Sequence, residues 1–308
     1  MAPAEPGPGR FGAVLTAMAT PFDEEGALDL DGATVLARWL VDHGTDGLVV
    51  AGTTGESPVL SDSEKRDLWR AVAEAVPVPV IAGAGTADTA HSVELSRMAR
   101  DAGAAGILAV TPYYSRPSQS GIEAHVRAIA AATDLPVLIY DIPVRTGRKV
   151  EHDTIIRLAT TVPTVVGVKD AAANPAASAR LVAEAPAGFD LYSGDDSLTL
   201  SLLAVGGCGL IGVASHWAGE QFQEMVSTFG KGDVQAARQI NARLLESYRF
   251  ETGDVTPNPM PTKAMLRVLG LPAGQCRLPI GPAPAELEGL ARQVLDRLVG
   301  PADASGLG

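Results

Sequence analysis

The sequence has 308 residues, of which 46% are hydrophobic and 19% are charged, and its formal net charge is -12. This length and composition predict one large α/β domain, or one domain with an appendage, that buries a substantial core. The acidic balance argues against nucleic-acid partners and anionic membrane surfaces, because both require clustered Lys and Arg side chains.

The chain begins with a segment rich in Pro and Gly that lacks the apolar centre of a signal peptide. It predicts a flexible tail over residues 1–10, and the last residues predict a second tail over 301–308. Cys208 and Cys276 are the only cysteines, and their separation matches no metal or redox motif. No stretch is apolar enough to span a bilayer. These features predict a cytoplasmic protein.

Short apolar runs alternate with helical patterns along most of the chain. The eight runs that predict strands are Val14–Met18, Gly47–Val50, Val78–Ala82, Gly106–Val110, Val137–Tyr140, Val165–Lys169, Phe189–Tyr192 and Leu210–Val213. Eight βα units at this spacing predict a (β/α)8 TIM barrel over residues 11–230. An open doubly wound sheet also alternates strands and helices, but the count and the regularity favour a closed barrel.

The helical patterns carry start signals. Ser61 and Glu64 form a capping-box pattern before the helix that follows the second strand. After the eighth strand, four further helical patterns cover Phe222–Met225, Val234–Tyr248, Met265–Leu269 and Leu287–Leu298. The first predicts the last helix of the barrel, and the others predict a C-terminal helical appendage over residues 231–300.

One lysine ends the sixth predicted strand, Val165–Lys169, whereas the other lysines lie in polar or helical surroundings. Burial disfavours an ammonium ion, so the pKa of Lys169 is expected to fall. A neutral amine condenses with a ketone to form a Schiff base. The alternative is an ion pair with Asp170, or a stem that lies on apolar surface while the amine stays in water.

Other reactive side chains follow the neighbouring predicted strands. They are Thr53 and Thr54 after the second strand, Tyr113 and Tyr114 after the fourth, Tyr140 and Arg145 at the fifth, and Asp195 and Asp196 after the seventh. Barrel active sites lie at the carboxyl ends of the strands, so these groups are expected to share one rim with the amine. The sequence therefore predicts an amine-catalysed site that binds a small carboxylate.

Each of these elements also has a purely structural interpretation. Gly52–Gly55 is consistent with a tight turn that caps the next helix, or with hydroxyl and N–H groups that grip a carboxylate at a helix N-terminus. The adjacent tyrosines suit packing or a subunit contact, and Arg145 suits a solvated loop. Asp195 and Asp196 are interpreted as helix caps without a catalytic role. The histidines show no metal spacing and no complete nucleotide-binding loop is present, so no metal or cofactor is expected.

Five ordered motifs resemble those of the dihydrodipicolinate synthase family, within the pyruvate-dependent class I aldolases. The motifs are Gly52–Ser57, Thr111–Tyr114, Tyr140–Gly147, Gly167–Asp170 and Ser193–Asp196. The resemblance extends over nearly the whole chain. It implies a cofactor-free homotetramer that condenses pyruvate with L-aspartate 4-semialdehyde in lysine and diaminopimelate biosynthesis.

The resemblance also implies which residues catalyse the reaction. Lys169 would form the pyruvate Schiff base, and Tyr140 would act as general acid and base at the imine carbon. Thr53 and Tyr114 would complete a proton relay to solvent, with Tyr114 reaching into the site of a neighbouring subunit. Imine formation needs such proton transfers, and a positioned general acid/base contributes typically about 10²–10⁴-fold.

Four further residues would bind the substrates if the resemblance holds. Thr54 would hold the pyruvate carboxylate and Arg145 the carboxylate of the semialdehyde. Gly194 and Ile211 would shape the pocket through backbone contacts. Fixing both carboxylates would keep the enamine carbon within reach of the aldehyde.

Details of the motifs narrow the choice within the superfamily. The two threonines and Arg145 favour the synthases over the sialic-acid lyase branch, and Asn258–Pro261 resembles a stretch common in synthases. Asp141 stands where many relatives have Asn, which leaves its hydrogen bonds open. Two alternatives remain: a related pyruvate-dependent lyase or hydratase acting on a sugar acid or aromatic aldehyde, and an inactive paralogue that binds a keto acid.

The resemblance also bears on regulation. In lysine-inhibited relatives, histidines and a glutamate line an effector cleft at a subunit interface, and the corresponding positions here hold Asp62, Lys65 and His91. A lysine or histidine would repel a cationic amino acid or fail to pair with it. Weak or absent feedback inhibition by L-lysine is therefore expected.

Overall fold

The computed structural model describes residues 8–299, in which eight parallel strands form a closed ring. The strands are β1 (Val14–Ala17), β2 (Gly47–Val50), β3 (Val80–Gly83), β4 (Gly106–Val110), β5 (Val137–Asp141), β6 (Val165–Asp170), β7 (Asp190–Ser193) and β8 (Gly209–Gly212). Each strand pairs with its neighbours in sequence, and β1 pairs with β8. The predicted TIM barrel is confirmed, and the open sheet is excluded.

Helices surround the ring in the described part of the chain. They are α1 (Leu30–Asp42), α2 (Asp62–Ala75), α3 (Thr89–Asp101), α4 (Gln119–Ala131), α5 (Pro143–Thr146), α6 (His152–Thr161), α7 (Pro175–Glu184), α8 (Thr199–Ala204), α9 (Ser215–Gly230), α10 (Val234–Phe250), α11 (Met260–Val268) and α12 (Leu287–Val299). Short 3-10 turns cover Ser57–Val59 and Asp196–Leu198. The capping box predicted at Ser61 and Glu64 is present at the start of α2.

The third strand begins two residues later than its apolar run predicts. The run starts at Val78, but the strand starts at Val80. The residue between them is Pro79, which has no N–H group to donate to a neighbouring strand. Its carbonyl still accepts a hydrogen bond of 2.9 Å from the backbone of Leu48.

An irregularity between β5 and β6 sets which residues face each other across the two strands. Val137 pairs with Val165, but Leu138 pairs with Gly167, so Val166 is an extra residue in β6. Neighbouring residues in a strand point to opposite faces, and a one-residue shift therefore changes which side chains become partners. Because of the shift, Tyr140 lies directly opposite Lys169.

Apolar side chains fill the inside of the ring below this level. The buried interior cluster consists of Phe11, Leu15, Ala17, Val49, Ile81, Leu108, Leu138, Tyr140, Ile142, Tyr192 and Ile211. Interiors of barrels with eight strands are packed with side chains in this way. The amine of Lys169 consequently lies on a packed floor rather than in a water-filled pore.

The helices after residue 230 pack on the last helix of the barrel. Trp217 on α9 donates a hydrogen bond of 3.0 Å from its indole nitrogen to Ser247 on α10. The rings of Phe222 and Tyr248 lie 6.2 Å apart across the same two helices. The chain that leaves α10 then returns across the carboxyl ends of the strands, where residues between Glu251 and Asn258 line a cavity.

The predicted tails fall mostly outside the described residues, which exclude 1–7 and 300–308. In the described part of the first tail, the backbone of Arg10 donates a hydrogen bond of 2.9 Å to Asp190. Within residues 8–299, no helix combines the length and apolar character needed to cross a membrane.

A buried histidine in the first turn of α9 predicts how stability depends on pH. His216 Nε2 accepts a hydrogen bond from the backbone of Ala19 at 3.0 Å, and Nδ1 lies 2.7 Å from the carbonyl oxygen of Val213. The ring is therefore neutral, and burial lowers its pKa to about 4. Below pH 6.5 the unfolded chain takes up a proton that the folded chain does not, so the free energy of unfolding falls as the pH decreases towards 4.

We expect this one residue to reduce the free energy of unfolding by about 2–3 kcal/mol between pH 7 and pH 4.5. Denaturant unfolding at the two pH values, for the native chain and a His216→Gln variant, measures the contribution. Glutamine keeps an acceptor near the Nε2 position but does not titrate. Equal losses of stability in the two proteins would show that His216 does not cause the effect.

Candidate active site

The carboxyl ends of β5 and β6 bring together the amine and the phenol that the sequence analysis singled out. The side chain of Lys169 is buried, with 4% of the residue exposed. Its Nζ lies 4.4 Å from the centroid of the Tyr140 ring. The negative face of an aromatic ring attracts a cation at this distance. The ring therefore favours a positive charge on the lysine nitrogen, either as an ammonium or as an iminium ion.

Burial lowers the pKa of Lys169 to about 8. A negative charge on Asp196 or on Glu251 opposes this shift, and the positive charge of Arg145 adds to it. At that pKa a substantial fraction of the amine is neutral near pH 8, and the neutral form is the nucleophile.

The alternative pairing of Lys169 with Asp170 is not present. Asp170 accepts hydrogen bonds from the backbone of Ala172 at 2.9 Å and from the Ser178 hydroxyl at 2.6 Å. Its carboxylate therefore points to α7 on the outer side of the barrel. The Lys169 amine is left facing the rim.

The sequence pattern suggested that Lys169 is the only buried lysine, but it is not. Lys65 and Lys263 are also buried. Lys263 lies on α11, and its Nζ is 2.6 Å from Glu56 Oε1 in an ion pair that excludes water. The expectation was wrong because a helical pattern does not show which helical residues pack against other elements, as Lys263 on α11 does with Glu56.

The phenol of Tyr140 is protonated at neutral pH. Burial raises its pKa to about 12, although the charge of Arg145 and a hydrogen bond with the Thr53 hydroxyl lower the pKa. A protonated phenol beside a reactive amine can donate a proton to a leaving hydroxyl group. The same two neighbours stabilise the phenolate, which would then act as the base.

The loop after β2 carries the two threonines, and it does not lead directly into a helix. A 3-10 turn at Ser57–Val59 follows, and α2 begins only at Asp62, where Ser61 caps it. The predictions of a threonine cap and of a helix dipole acting on the substrate were therefore wrong. The loop instead turns through a left-handed conformation at Ala51, with φ of 56°.

The hydroxyl of Thr54 is oriented by a residue more than 200 positions away. Asn258 Nδ2 donates to Thr54 Oγ1 at 3.0 Å, and Thr262 donates to Asn258 Oδ1 at 3.3 Å. The second bond fixes which end of the Asn258 amide faces Thr54. Because Thr54 Oγ1 accepts from the amide, its own hydrogen is free to donate to a carboxylate.

A cavity of about 480 Å³ opens above Lys169. Its wall includes Thr53, Thr54, Tyr140, Arg145 and Gly194. The predicted residues of strands two, five, six and seven therefore share one site.

Gly194 lies against the lysine itself. A Cβ added at Gly194 would lie 2.9 Å from the Cγ atom of Lys169. Only a residue without a side chain fits beside the amine stem.

Two of the predicted residues lie apart from this cavity. Ile211 is fully buried in the interior cluster and does not line the cavity. Val213, which follows β8, lines the wall instead. Tyr114 is 95% exposed and adopts φ of 69°. It lines an adjoining cavity of about 410 Å³ that shares Thr53 and Tyr140 with the first.

The wall also includes Asp196, Glu251 and Asn258, to which the sequence analysis assigned no catalytic or binding role. Asp195 caps a turn as predicted, but Asp196 accepts hydrogen bonds from the backbone of Val213 at 2.8 Å and is no helix cap. Glu251 and Asn258 belong to the C-terminal region. Of Asp196, Glu251 and Asn258, only Asn258 lies in a stretch whose resemblance to the synthases is visible in the sequence, and that stretch was given no function.

The hydrogen bonds of Asp141 are resolved by the structure. Asp141 Oδ2 accepts from Lys149 Nζ at 2.8 Å, and Oδ1 accepts from the backbone of Val150 at 3.1 Å. The carboxylate points away from Tyr140, to the outer side of β5. It supports the chain after β5 and does not enter the site.

The chain is similar to known proteins over most of its length. The model of the dihydrodipicolinate synthetase family matches residues 10–297. The 4-hydroxy-tetrahydrodipicolinate synthase of Moorella thermoacetica is 52% identical over 273 residues, which cover 88% of this chain and 92% of the relative. The enzyme of the same name from Mycobacterium leprae strain TN is 51% identical over 283 residues, covering 91% and 92% of the two chains.

Solved structures agree with these similarities. The dihydrodipicolinate synthase of Cyanidioschyzon merolae, crystallised with lysine bound, superposes with a TM-score of 0.91 at 42% identity and covers 94% of this chain and 99% of that one. The synthase of Bacillus anthracis superposes with a TM-score of 0.90 at 38% identity, with coverage of 94% and 98%.

Proposed function

We propose how the residues of this chain carry out the activity of its family. The chain belongs to the dihydrodipicolinate synthetase family, and like its curated relatives it is a 4-hydroxy-tetrahydrodipicolinate synthase. Pyruvate would bind as a Schiff base on Lys169, and L-aspartate 4-semialdehyde would be the second substrate. The observation that carries the proposal is the buried amine, with a pKa of about 8, beside the ring of Tyr140.

The first step joins pyruvate to the enzyme. The neutral Lys169 nitrogen attacks the keto carbon of pyruvate, a C–N bond forms, and a proton moves from the nitrogen to the keto oxygen to give a carbinolamine. Tyr140 then donates a second proton to that oxygen, the C–O bond breaks, and departure of water gives an iminium ion and the Tyr140 phenolate. Loss of a methyl proton then gives an enamine, whose carbon attacks the aldehyde. Tyr140 and Thr53 are placed to carry protons in these steps, since their hydroxyls are hydrogen-bonded at the rim.

The carboxylates of the two substrates would occupy different parts of the cavity. The free hydroxyl hydrogen of Thr54 suits the pyruvate carboxylate, because Asn258 already occupies its oxygen. Arg145 suits the carboxylate of the semialdehyde, since a guanidinium offers paired donors. Because Gly194 has no side chain, there is room beside it for the imine. Ile211 packs in the interior cluster beneath the cavity.

We also propose a homotetramer in which Tyr114 completes the proton relay in a neighbouring subunit. Its 95% exposure and its position beside Thr53 and Tyr140 in the adjoining cavity support this role. The reaction needs no metal or organic cofactor, because the lysine nitrogen supplies the electron sink. The location that we propose is the cytoplasm, in keeping with the two free cysteines.

Borohydride trapping with pyruvate tests the covalent step. We expect a mass increase on the peptide that carries Lys169, and no increase when pyruvate is omitted. The absence of an adduct would indicate a protein that only binds a keto acid. A coupled assay with aspartate semialdehyde, run beside several sugar aldehydes, tests the second substrate, and a preference for a sugar aldehyde would contradict the proposal.

L-Lysine at millimolar concentration is expected to change the rate by less than about twofold. His91 Nε2 lies 2.9 Å from Asp62 Oδ1, so that carboxylate already has a partner. The amine of Lys65 is buried beside them, and burial lowers its pKa while the charge of Asp62 opposes the shift. The cluster therefore offers no free anion to a cationic effector.

Initial rates at increasing lysine concentration measure this effect. A Lys65→Met variant is the matched control, because it keeps the buried stem and removes the amine. If cationic repulsion is the reason, any residual inhibition should increase in this variant. Strong inhibition of the native chain would contradict the prediction.

A further inference from the structure

Two carboxyl groups from distant parts of the chain meet in the wall of the Lys169 cavity. Asp196 lies on the turn after β7, and Glu251 ends α10. Only 2% of Asp196 and 8% of Glu251 are exposed. Two ionised carboxylates in such a position would each lose hydration and repel each other. A buried pair of this kind needs protonation or hydrogen bonds that offset the lost hydration and the repulsion.

The hydrogen bonds around the pair indicate how this cost is avoided. Asp196 Oδ2 accepts from the backbone of Val213 at 2.8 Å and of Ala214 at 3.4 Å. Asp196 Oδ1 and Glu251 Oε2 are both inaccessible and lack a donor if neither carboxyl group carries a proton. The two side chains nevertheless lie within hydrogen-bonding reach of each other. A proton shared by the two carboxyl groups would supply the donor that this contact otherwise lacks.

The position of the backbone donors indicates where the proton resides. Burial raises the pKa of both carboxyl groups. At Asp196 the backbone N–H groups of Val213 and Ala214 oppose this shift, whereas at Glu251 the charge of Asp196 adds to it, only the N–H of Ala214 opposes it, and the pKa lies well above its usual range. This difference favours the proton on Glu251. The pair carries one negative charge, which resembles the shared proton of two adjacent carboxyl groups in other enzymes.

That single charge faces the reactive groups of the cavity. The pair is close enough to Lys169 for a negative charge on either carboxyl to raise the pKa of the amine. The other ionisable groups around it are Tyr140 on β5, Arg145 on α5, Asp195 on the turn after β7, Tyr248 on α10 and Asp254 after α10. If the pair carried two negative charges, it would repel the two anionic substrates. If it carried none, an iminium ion on Lys169 would have no counter-ion.

We propose that Asp196 and Glu251 share one proton and act as a positioning pair, whose single negative charge stabilises the cationic forms of Lys169 and of its imine. This inference rests on the Schiff-base function proposed above and adds two residues to it. It also assigns a role to α10, because the C-terminal helical region delivers the protonated member of the pair.

Amide substitutions test the pair because they separate charge from hydrogen bonding. In Glu251→Gln the amide donates to an ionised Asp196, and in Asp196→Asn the amide donates to an ionised Glu251. Each single variant therefore keeps one negative charge, whereas the double variant has none. Asp254→Asn is the matched control, since it removes one charge from an exposed position on the same cavity.

The main measurement is the pH dependence of kcat/KM for pyruvate, together with the rate at pH 8. We expect each single variant to lose less than about threefold in rate and to keep the acidic midpoint of the profile. In the double variant the midpoint should move down by about one pH unit, and the rate should fall by at least about tenfold. Asp254→Asn should shift the midpoint less than the double variant does.

Several results would overturn the proposal. One is a double variant with an unchanged midpoint, and another is a single variant that shifts as far as the double. Infrared spectra test the shared proton even if the double variant does not fold. The C=O band of a protonated carboxyl group should be present in the native chain at neutral pH and absent in Glu251→Gln. Persistence of the band in that variant would exclude a shared proton. Borohydride trapping of the native chain, run in parallel, separates this failure from failure of the Schiff-base function.

Discussion

Replacing Lys169 by arginine is expected to reduce turnover by at least about 10³-fold and to abolish the pyruvate adduct. Arginine keeps a long stem and a positive charge, but its guanidinium stays protonated in proteins and cannot attack a keto group. The change therefore separates electrostatic attraction of pyruvate from covalent catalysis. Initial rates and borohydride trapping measure the two consequences.

The matched control for this prediction is Lys231→Arg, at an exposed position after α9. This variant should be trapped and should turn over like the native chain. A remaining adduct in Lys169→Arg would point to another amine, and Lys263 would be the first to test because it is also buried. An adduct of that kind, or turnover within about tenfold of the native chain, would contradict the assignment of Lys169.

Replacing Tyr140 by phenylalanine should lower kcat by about 10²–10³-fold. The substitution removes only the hydroxyl and leaves the ring over which Lys169 Nζ lies. The amine should therefore still be trapped with pyruvate, but more slowly, because no phenol donates a proton to the departing oxygen. Single-turnover trapping rates and steady-state kcat measure the loss.

Tyr192→Phe provides a control on the neighbouring strand. Tyr192 also pairs with Lys169 in the strand register, but its hydroxyl lies at the other end of the barrel, where it donates to the Gly12 carbonyl at 3.1 Å. This variant should lose thermal stability and keep its kcat. A similar fall in kcat for both variants would indicate general disturbance of the barrel rather than proton transfer by Tyr140.

The proposed charge of the Asp196–Glu251 pair acts on the positive charges of Lys169 and Arg145. Arg145 and Lys169 can carry positive charge at the rim, and in our proposal the Asp196–Glu251 pair balances it with one negative charge. The balance lets the cavity accept an anionic substrate and still hold an iminium ion. Removal of the negative charge, as in the double variant of the pair, should therefore change the pH profile as well as the rate.

The sequence by itself determined the barrel and most of its rim. Eight apolar runs at regular spacing are a local signal, because a buried parallel strand must be apolar on both faces. The strand ends then place Lys169, Tyr140, Thr53 and Arg145 on one side, since parallel strands present all their carboxyl ends together. These conclusions need only periodicity and topology.

Only the tertiary structure decided how the rim groups are oriented. The extra residue at Val166 sets Tyr140 opposite Lys169, and nothing local in β6 announces it. Asn258 orients Thr54 across more than 200 residues of sequence, and Glu251 reaches Asp196 from a helix outside the barrel. Such contacts depend on how the C-terminal helices pack on the ring, and a single hydrogen bond or shared proton leaves no periodic trace in the residues that form it.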